Sequence, residues 1–176
     1  ALIYPEADLK SRPIGTAPLG GTLRVASFGA QFCELAEGGF IPTRHLCPVD
    51  SPAQDWVAVA NMLLGVPYLW GGRSAAGIDC SALVQLARLA AGSPCLRDSD
   101  MQQAAPGENV PAGSLRRGDL VFWNGHVGIM LSGEKMLHAN AHHMAVTIEP
   151  LERAARRIEK GGGGQITARR RWTGAA

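Results

Sequence analysis

The chain reads as an α+β protein in two parts, a small β-barrel over residues 1–50 and a larger domain over residues 51–176. Three observations predict this. Pro5, Pro13, Pro18, Gly15, Gly20, Gly21, Gly29, Gly38 and Gly39 cut the first part into pieces too short for helices. Two apolar stretches at helical spacing follow, and after them come short β-type runs separated by Gly or Asn.

In chain order, Leu23 to Phe28, Gln31 to Leu35 and Gly39 to Ile41 read as three strands with tight turns, closing on Pro42 to His45. The boundary lies at Cys47 to Pro52, where Ser51 is placed to cap a helix with Pro52 in its first turn and Gln54 three residues after the cap. Trp56, Val57, Ala60, Leu63 and Leu64 give that helix its apolar face, and Gly65 stops it. Ser81 to Ala91 predicts a second, denser helix ended by Gly92. Asp119 to Trp123, Val127 to Leu131, Lys135 to His138 and Ala145 to Ile148 predict an antiparallel sheet. Pro150 to Lys160 reads as a surface helix, and Gly161 to Gly164 leads into a last strand.

Composition narrows the function classes. With 176 residues, 46% hydrophobic and a net charge of +2, the chain is compact rather than disordered and offers no broad basic face for nucleic acid. No apolar run approaches the roughly 18 to 20 residues needed to span a bilayer, so a soluble protein without a transmembrane segment is expected. Cys33, Cys47, Cys80 and Cys95 are irregularly spaced and read as reduced thiols, not as a disulfide framework.

Cys80 carries the first sign of chemistry. It stands at the first turn of a predicted helix, after a loop made pliable by Gly71, Gly72 and Gly77. Free N–H groups and the positive end of the helix dipole favour thiolate there, although a cysteine on an apolar helix is more often a small core residue. His126 and His138, twelve residues apart on predicted neighbouring strands, change the balance. A nucleophile needs a base within reach and the base needs a third group to orient it, so Cys80, His126 and His138 could form such a triad.

These stretches, GVPYLWGGRSAAGIDCSALVQ, GDLVFWNGHVGIML and LHAN, resemble the NlpC/P60 cysteine peptidases of bacterial peptidoglycan, in the family's order, from about Asp55 to Trp172. The resemblance implies a papain-like catalytic domain in which Cys80 is the nucleophile, His126 the general base and His138 the orienting residue, with Tyr68 helping to hold the oxyanion. The wording YLWGGRS and GIDCS is similar to members carrying a bacterial SH3-like (SH3b) module ahead of the catalytic domain, which fits the β-rich residues 1–50. Those members resemble γ-D-glutamyl-L-diamino acid endopeptidases acting on short stem peptides with a free N-terminal L-alanine. By the same resemblance Asp79, Ser81 and an acidic residue of the module, Glu34 in preference to Glu37, bind that amine, and Trp70 lines the cleft. Ala82 departs from the family's usual glycine and adds a methyl beside the helix start. The implied partner is a peptidoglycan stem peptide; no cofactor is required, and the oligomeric state is left open. Thiol chemistry and short peptides point to the cytoplasm. A non-catalytic wall-binding module and an acyltransferase or amidase on the same Cys-His pair are the alternatives.

Other patterns are weaker. Cys33, His45 and Cys47 lack a zinc-site spacing, and His138, His142 and His143 would suit a metal only on a helix, so no metal site is expected. Arg73 reads as a solvated loop residue, and Arg169 to Arg171 as a solvated face or edge protection.

Overall fold

In the computed structural model, which describes residues 1–172, the chain divides into two compact units, Ala1–Pro52 and a second beginning at Ala53. The predicted assignment of residues 51–176 to one domain extends past the described residues at 173–176.

Short extended pieces make up the first unit, as its Pro and Gly content dictates. Strands β1 (Leu2–Ile3) and β2 (Gly15–Thr16) pair antiparallel, and β3 (Val25–Phe28), β4 (Phe32–Leu35) and β5 (Phe40–Pro42) form an antiparallel sheet in that order. A single bridge, Tyr4 to Phe40, ties the two pieces together. Their apolar side chains meet in a small core of Ala17, Cys33, Leu35 and Ile41.

The second unit opens with α1 (Trp56–Asn61) and the small hairpin β6 (Arg73–Ser74) and β7 (Gly77–Ile78). It continues through α2 (Cys80–Ala90), α3 (Ser99–Ala104) and β8 (Glu108–Asn109). Strands β9 (Leu120–Trp123), β10 (His126–Met130), β11 (Lys135–Asn140) and β12 (Ala145–Pro150) follow, then α4 (Leu151–Lys160) and β13 (Ala168–Arg171). The sheet runs β12-β11-β10-β9-β13-β8, antiparallel at every pairing. Consecutive hairpins build its first four strands, because each connection is too short for anything else. Leu151, Ala154, Ala155 and Ile158 of α4 pack on Val121, Trp123, Met130 and Met136 of the sheet. Helix α2 packs against α1, β10 and β11, and its residues from Cys80 to Arg88 are buried without a break.

Three expectations are corrected. Helix α1 is capped by Asp55, not Ser51: its carboxylate accepts from the backbone N–H groups of Val57 and Ala58 at 2.9 and 3.0 Å and also meets Arg117 at 2.7 Å. A carboxylate that bonds two orphan helix donors and a guanidinium outcompetes a distant serine hydroxyl. Helix α3 falls where no element was expected. Third, Arg171 is no solvated residue, since its guanidinium grips Asp119 with two bonds of 2.8 Å and pins β13 beside β9. Asp119 is only 1% exposed, so a flexible edge charge would leave it buried and unpaired.

Candidate active site

The loop before α2 is drawn tight by backbone contact. A Cβ on Gly72 would lie 2.5 Å from the Gly77 carbonyl oxygen, so only glycine lets the two arms of this loop touch. The extended segment at Tyr68 lies between two partners: its N–H donates to the Met144 carbonyl at 2.9 Å, while Ile78 N–H donates to the Pro67 carbonyl at 3.0 Å. Tyr68 is thereby set beside the start of α2. Burial pushes its phenol up, and the charges of Cys80 and Asp79 push the same way.

Asp79 caps α2, accepting from Ala82 N–H at 2.8 Å. The same oxygen accepts from the Ser81 hydroxyl at 3.2 Å and from Arg97 Nη1 at 3.0 Å, and the other takes Gly71 N–H at 3.0 Å and Arg97 Nη2 at 2.5 Å. Burial pushes the carboxyl up, but the Arg97 and backbone bonds more than offset this and hold it below the usual range. A carboxylate offers about four lone-pair sites, and the chain's own donors already fill them. Ser81 is equally occupied, donating to Asp79 and accepting from Arg97 at 2.9 Å. Both residues read as amine-binding from the sequence; in the structure they are first a helix cap and its brace.

Cys80 is 6% exposed. Burial pushes its thiol up, the Val127 N–H pulls it down, the Asp79 charge pushes it up again, and the N–H groups of Ser81 and Cys80 itself pull it down; the net direction is up. Loss of solvent thus outweighs the helix-start donors that favour thiolate. The donor from Val127 puts the sulfur against the residue that follows His126 in the chain.

His126 and His138 are brought together as the strand pattern predicts. His126 Nε2 is 2.8 Å from His138 Nδ1, and the rings meet edge to face with centroids 5.1 Å apart. The register that does this is fixed by β10 lying between β9 and β11. His138 is completely buried, and its Nε2 is 2.8 Å from Glu149 Oε1, an oxygen that Arg157 Nη2 also holds. Burial pulls His126 down to about 3, with the charges of His138 and Arg157 adding to the fall and Glu149 opposing it. Burial also pulls His138 down, against the Glu149 hydrogen bond. For Glu149, burial pushes up, but His138 and Arg157 bring it down to about 2. At neutral pH the row is thiol, two neutral imidazoles, a carboxylate and a guanidinium.

Two further sequence candidates are Trp70 and Glu34. Trp70 is 78% exposed, so it presents its ring to solvent beside the loop instead of packing. Glu34 belongs to the first unit, in β4, with the Ser27 hydroxyl 3.5 Å from its carboxylate. The residues that sequence reasoning missed are Arg97, Gln102, Glu149 and Arg157. Gln102, fully buried on α3, donates to the Ser81 and Leu96 carbonyls at 2.9 Å and braces the first turn of α2. Among the described residues no cluster of three or more His, Cys, Asp or Glu is arranged to hold a metal ion, and no helix is long and apolar enough to cross a membrane.

Comparison with known proteins adds the lineage. The NlpC/P60 family model matches residues 65–157, more than half of the chain. The chain is 38% identical over 95 residues to the gamma-D-glutamyl-L-lysine dipeptidyl-peptidase of Bacillus subtilis strain 168, covering 49% of this chain and 32% of that protein. It is 35% identical over 112 residues to the peptidoglycan endopeptidase RipB of Mycobacterium tuberculosis, covering 54% and 46%. It thus spans less than half the length of these curated relatives. Among solved structures, RipB aligns with a TM-score of 0.54 at 31% identity, over 66% of this chain and 62% of that one. An NlpC/P60 family protein from Bacillus cereus ATCC 10987 aligns with a TM-score of 0.71 at 24% identity, over 99% of this chain and 61% of that one, a likeness of fold. Tyr68, Asp79, Cys80, His126, His138, Glu149 and Arg157 all lie within the matched residues, and the chain that folds around them belongs to the NlpC/P60 family.

Proposed function

We propose that the chain hydrolyses the γ-D-glutamyl bond to the diamino acid in peptidoglycan stem peptides, by attack of the Cys80 sulfur. The observation that carries this reading is the row of contacts from His126 through His138 to Glu149, together with Cys80 at the start of α2, whose sulfur meets the backbone N–H of Val127, the residue after His126. The name of the Bacillus subtilis relative supports the choice of bond.

The chemistry follows from the protonation states. His126 takes the thiol proton as the sulfur bonds to the γ-carbonyl carbon, and the carbonyl oxygen becomes an oxyanion. The Tyr68 hydroxyl and the Cys80 backbone N–H are its donors, each such donor being worth about 10² to 10³ in rate. The C–N bond then breaks and the His126 imidazolium gives its proton to the leaving amine. Water, deprotonated by His126, attacks the thioester, releasing the γ-carboxyl product and the thiol. A thiol that becomes a thiolate only as it reacts is protected from solvent until substrate arrives.

A free N-terminal L-alanine ammonium would meet Asp79 and Ser81 only by sharing them with Arg97. Preference for the free amine therefore depends on Arg97 yielding one of its bonds as the ammonium enters, exchanging one cation for another. Mass-spectrometric hydrolysis of L-Ala-γ-D-Glu-diaminopimelate against its N-acetylated form, with Cys80→Ala as control, tests the reading. Cleavage of the free-amine peptide alone, abolished in Cys80→Ala, is expected. Equal cleavage of both removes the amine preference, and cleavage of neither removes the peptidase.

A further inference from the structure

We infer that Glu149, held by Arg157, is a positioning residue that sets the tautomers of both histidines and so leaves Nδ1 of His126 free to take the thiol proton. The inference rests on the peptidase reading above and names two side chains outside the Cys-His-His row that the sequence displays.

The register puts Glu149 in place. His138 pairs with Thr147 across β11 and β12, so Glu149, two residues further along β12, projects on the same face. Arg157 stands three residues beyond Ala154 on α4, on the side of the helix that packs on the sheet. Glu149 is 6% exposed and the Arg157 side chain 24%, so the carboxylate is enclosed and its partner reaches in from the rim.

The proton positions then follow link by link. An ionised carboxylate only accepts, so the 2.8 Å contact between His138 Nε2 and Glu149 requires the hydrogen on Nε2. A neutral imidazole with its hydrogen on Nε2 has a lone pair on Nδ1. That lone pair faces His126 Nε2 at 2.8 Å, so the hydrogen of His126 must be on Nε2. His126 Nδ1 is left as the base. With Glu149 gone, His138 is free to carry its hydrogen on Nδ1 and donate to His126 Nε2, which moves the His126 hydrogen to Nδ1 and removes the base.

Arg157 does the second half of the work. A lone carboxylate behind two histidines would draw a proton onto them at rest. The guanidinium cancels most of that charge: Arg157 lowers the affinity of His126 for a proton where Glu149 raises it. The pair thus orients without protonating.

Nitrogen-15 NMR of the ring nitrogens, on the histidine-labelled full chain at neutral pH without substrate, reads the tautomers directly. His126 and His138 should both be protonated on Nε2. Glu149→Gln keeps an acceptor and should keep both tautomers, with kcat within a few-fold. Glu149→Leu should give mixed tautomers at His138 and lower kcat by about tenfold to a hundredfold with KM unchanged, as when the partner of a functional imidazole's second nitrogen is lost. Arg157→Met should move the acid limb of kcat/KM to higher pH. Hydrogen on Nδ1 of His138 in the unaltered chain overturns the inference, as do unchanged tautomers in Glu149→Leu. If Glu149→Leu fails to fold, the unaltered chain and Arg157→Met decide. The tautomers are read without catalysis, so a chain that shows them yet cleaves no peptide refutes the peptidase reading and not the inference.

Discussion

Lowering the pH from 7 to 5 should leave kcat/KM for the stem peptide nearly unchanged. The reactive state pairs a thiol with a neutral His126, so the acid limb reports protonation of that imidazole. A histidine at its usual value of 6.5 would be about 76% neutral at pH 7 and about 3% at pH 5, a fall of about 25-fold. In the structure burial beside His138 and Arg157 pulls His126 down to about 3. The neutral form then remains at about 99% at pH 5, and the rate should hold within about twofold. The assay is initial-rate hydrolysis across this range, with tryptophan fluorescence as the check on folding. All four tryptophans, Trp56, Trp70, Trp123 and Trp172, lie in the second unit, so the signal follows that unit alone. A tenfold fall between pH 7 and 5 with unchanged fluorescence would refute the neutral base. So would a thiolate absorbance at pH 7 that disappears in Cys80→Ala, since burial holds this thiol above its ordinary range.

Other perturbations test the supports. Glu149, depressed from 4.5 to about 2 in the fold, stabilises the protein above the unfolded value and loses that contribution as pH falls from 4.5 through about 2. Urea unfolding should therefore lose about 3 kcal/mol across that window, and Glu149→Gln should remove that part of the slope. Arg97→Leu leaves the Asp79 carboxylate, 7% exposed, without its cation; about 2 to 4 kcal/mol should be lost in thermal melts, and an unaltered Tm would show that the cap holds α2 without it. Gly128→Ala places a Cβ 2.1 Å from the sulfur of fully buried Met136. Overpacking of this kind costs about 1 to 3 kcal/mol, and combining it with Met136→Val should cost less than the two changes summed.

What the residues disclosed followed from how locally each feature is encoded. Helix α2 and strands β9 to β12 carry apolar patterns over consecutive residues, so they stood out before any fold was known. The cap of α1 was placed at Ser51 because Pro52 and Gln54 flank it, whereas Asp55 prevails through Arg117, which is remote in the chain. Helix α3 is short and polar, with Gln102 alone buried, and offers no periodic signal. Arg97 becomes visible only when its carboxylate partner is known. Glu149 had a trace: once Lys135 to His138 and Ala145 to Ile148 are read as a hairpin, one residue beyond the second strand falls on the face of His138. The helix-start donors that favour a Cys80 thiolate are local, while the desolvation that opposes them depends on everything packed around the sulfur.

Strand β13 lies between β9 and β8 and is synthesised after both. Until it exists, the edge of β9 is open, Asp119 lacks the two Arg171 bonds, and the sheet that carries the histidines is incomplete. Pairing strands so far apart in the chain is slow, because the intervening loop must close before any contact repays it. The nascent polypeptide therefore carries Cys80, His126 and His138 before the strand that covers the edge of β9 exists. The sheet that carries His126 and His138 is therefore complete only once β13 has joined it, so order of synthesis delays the closing of the fold behind them.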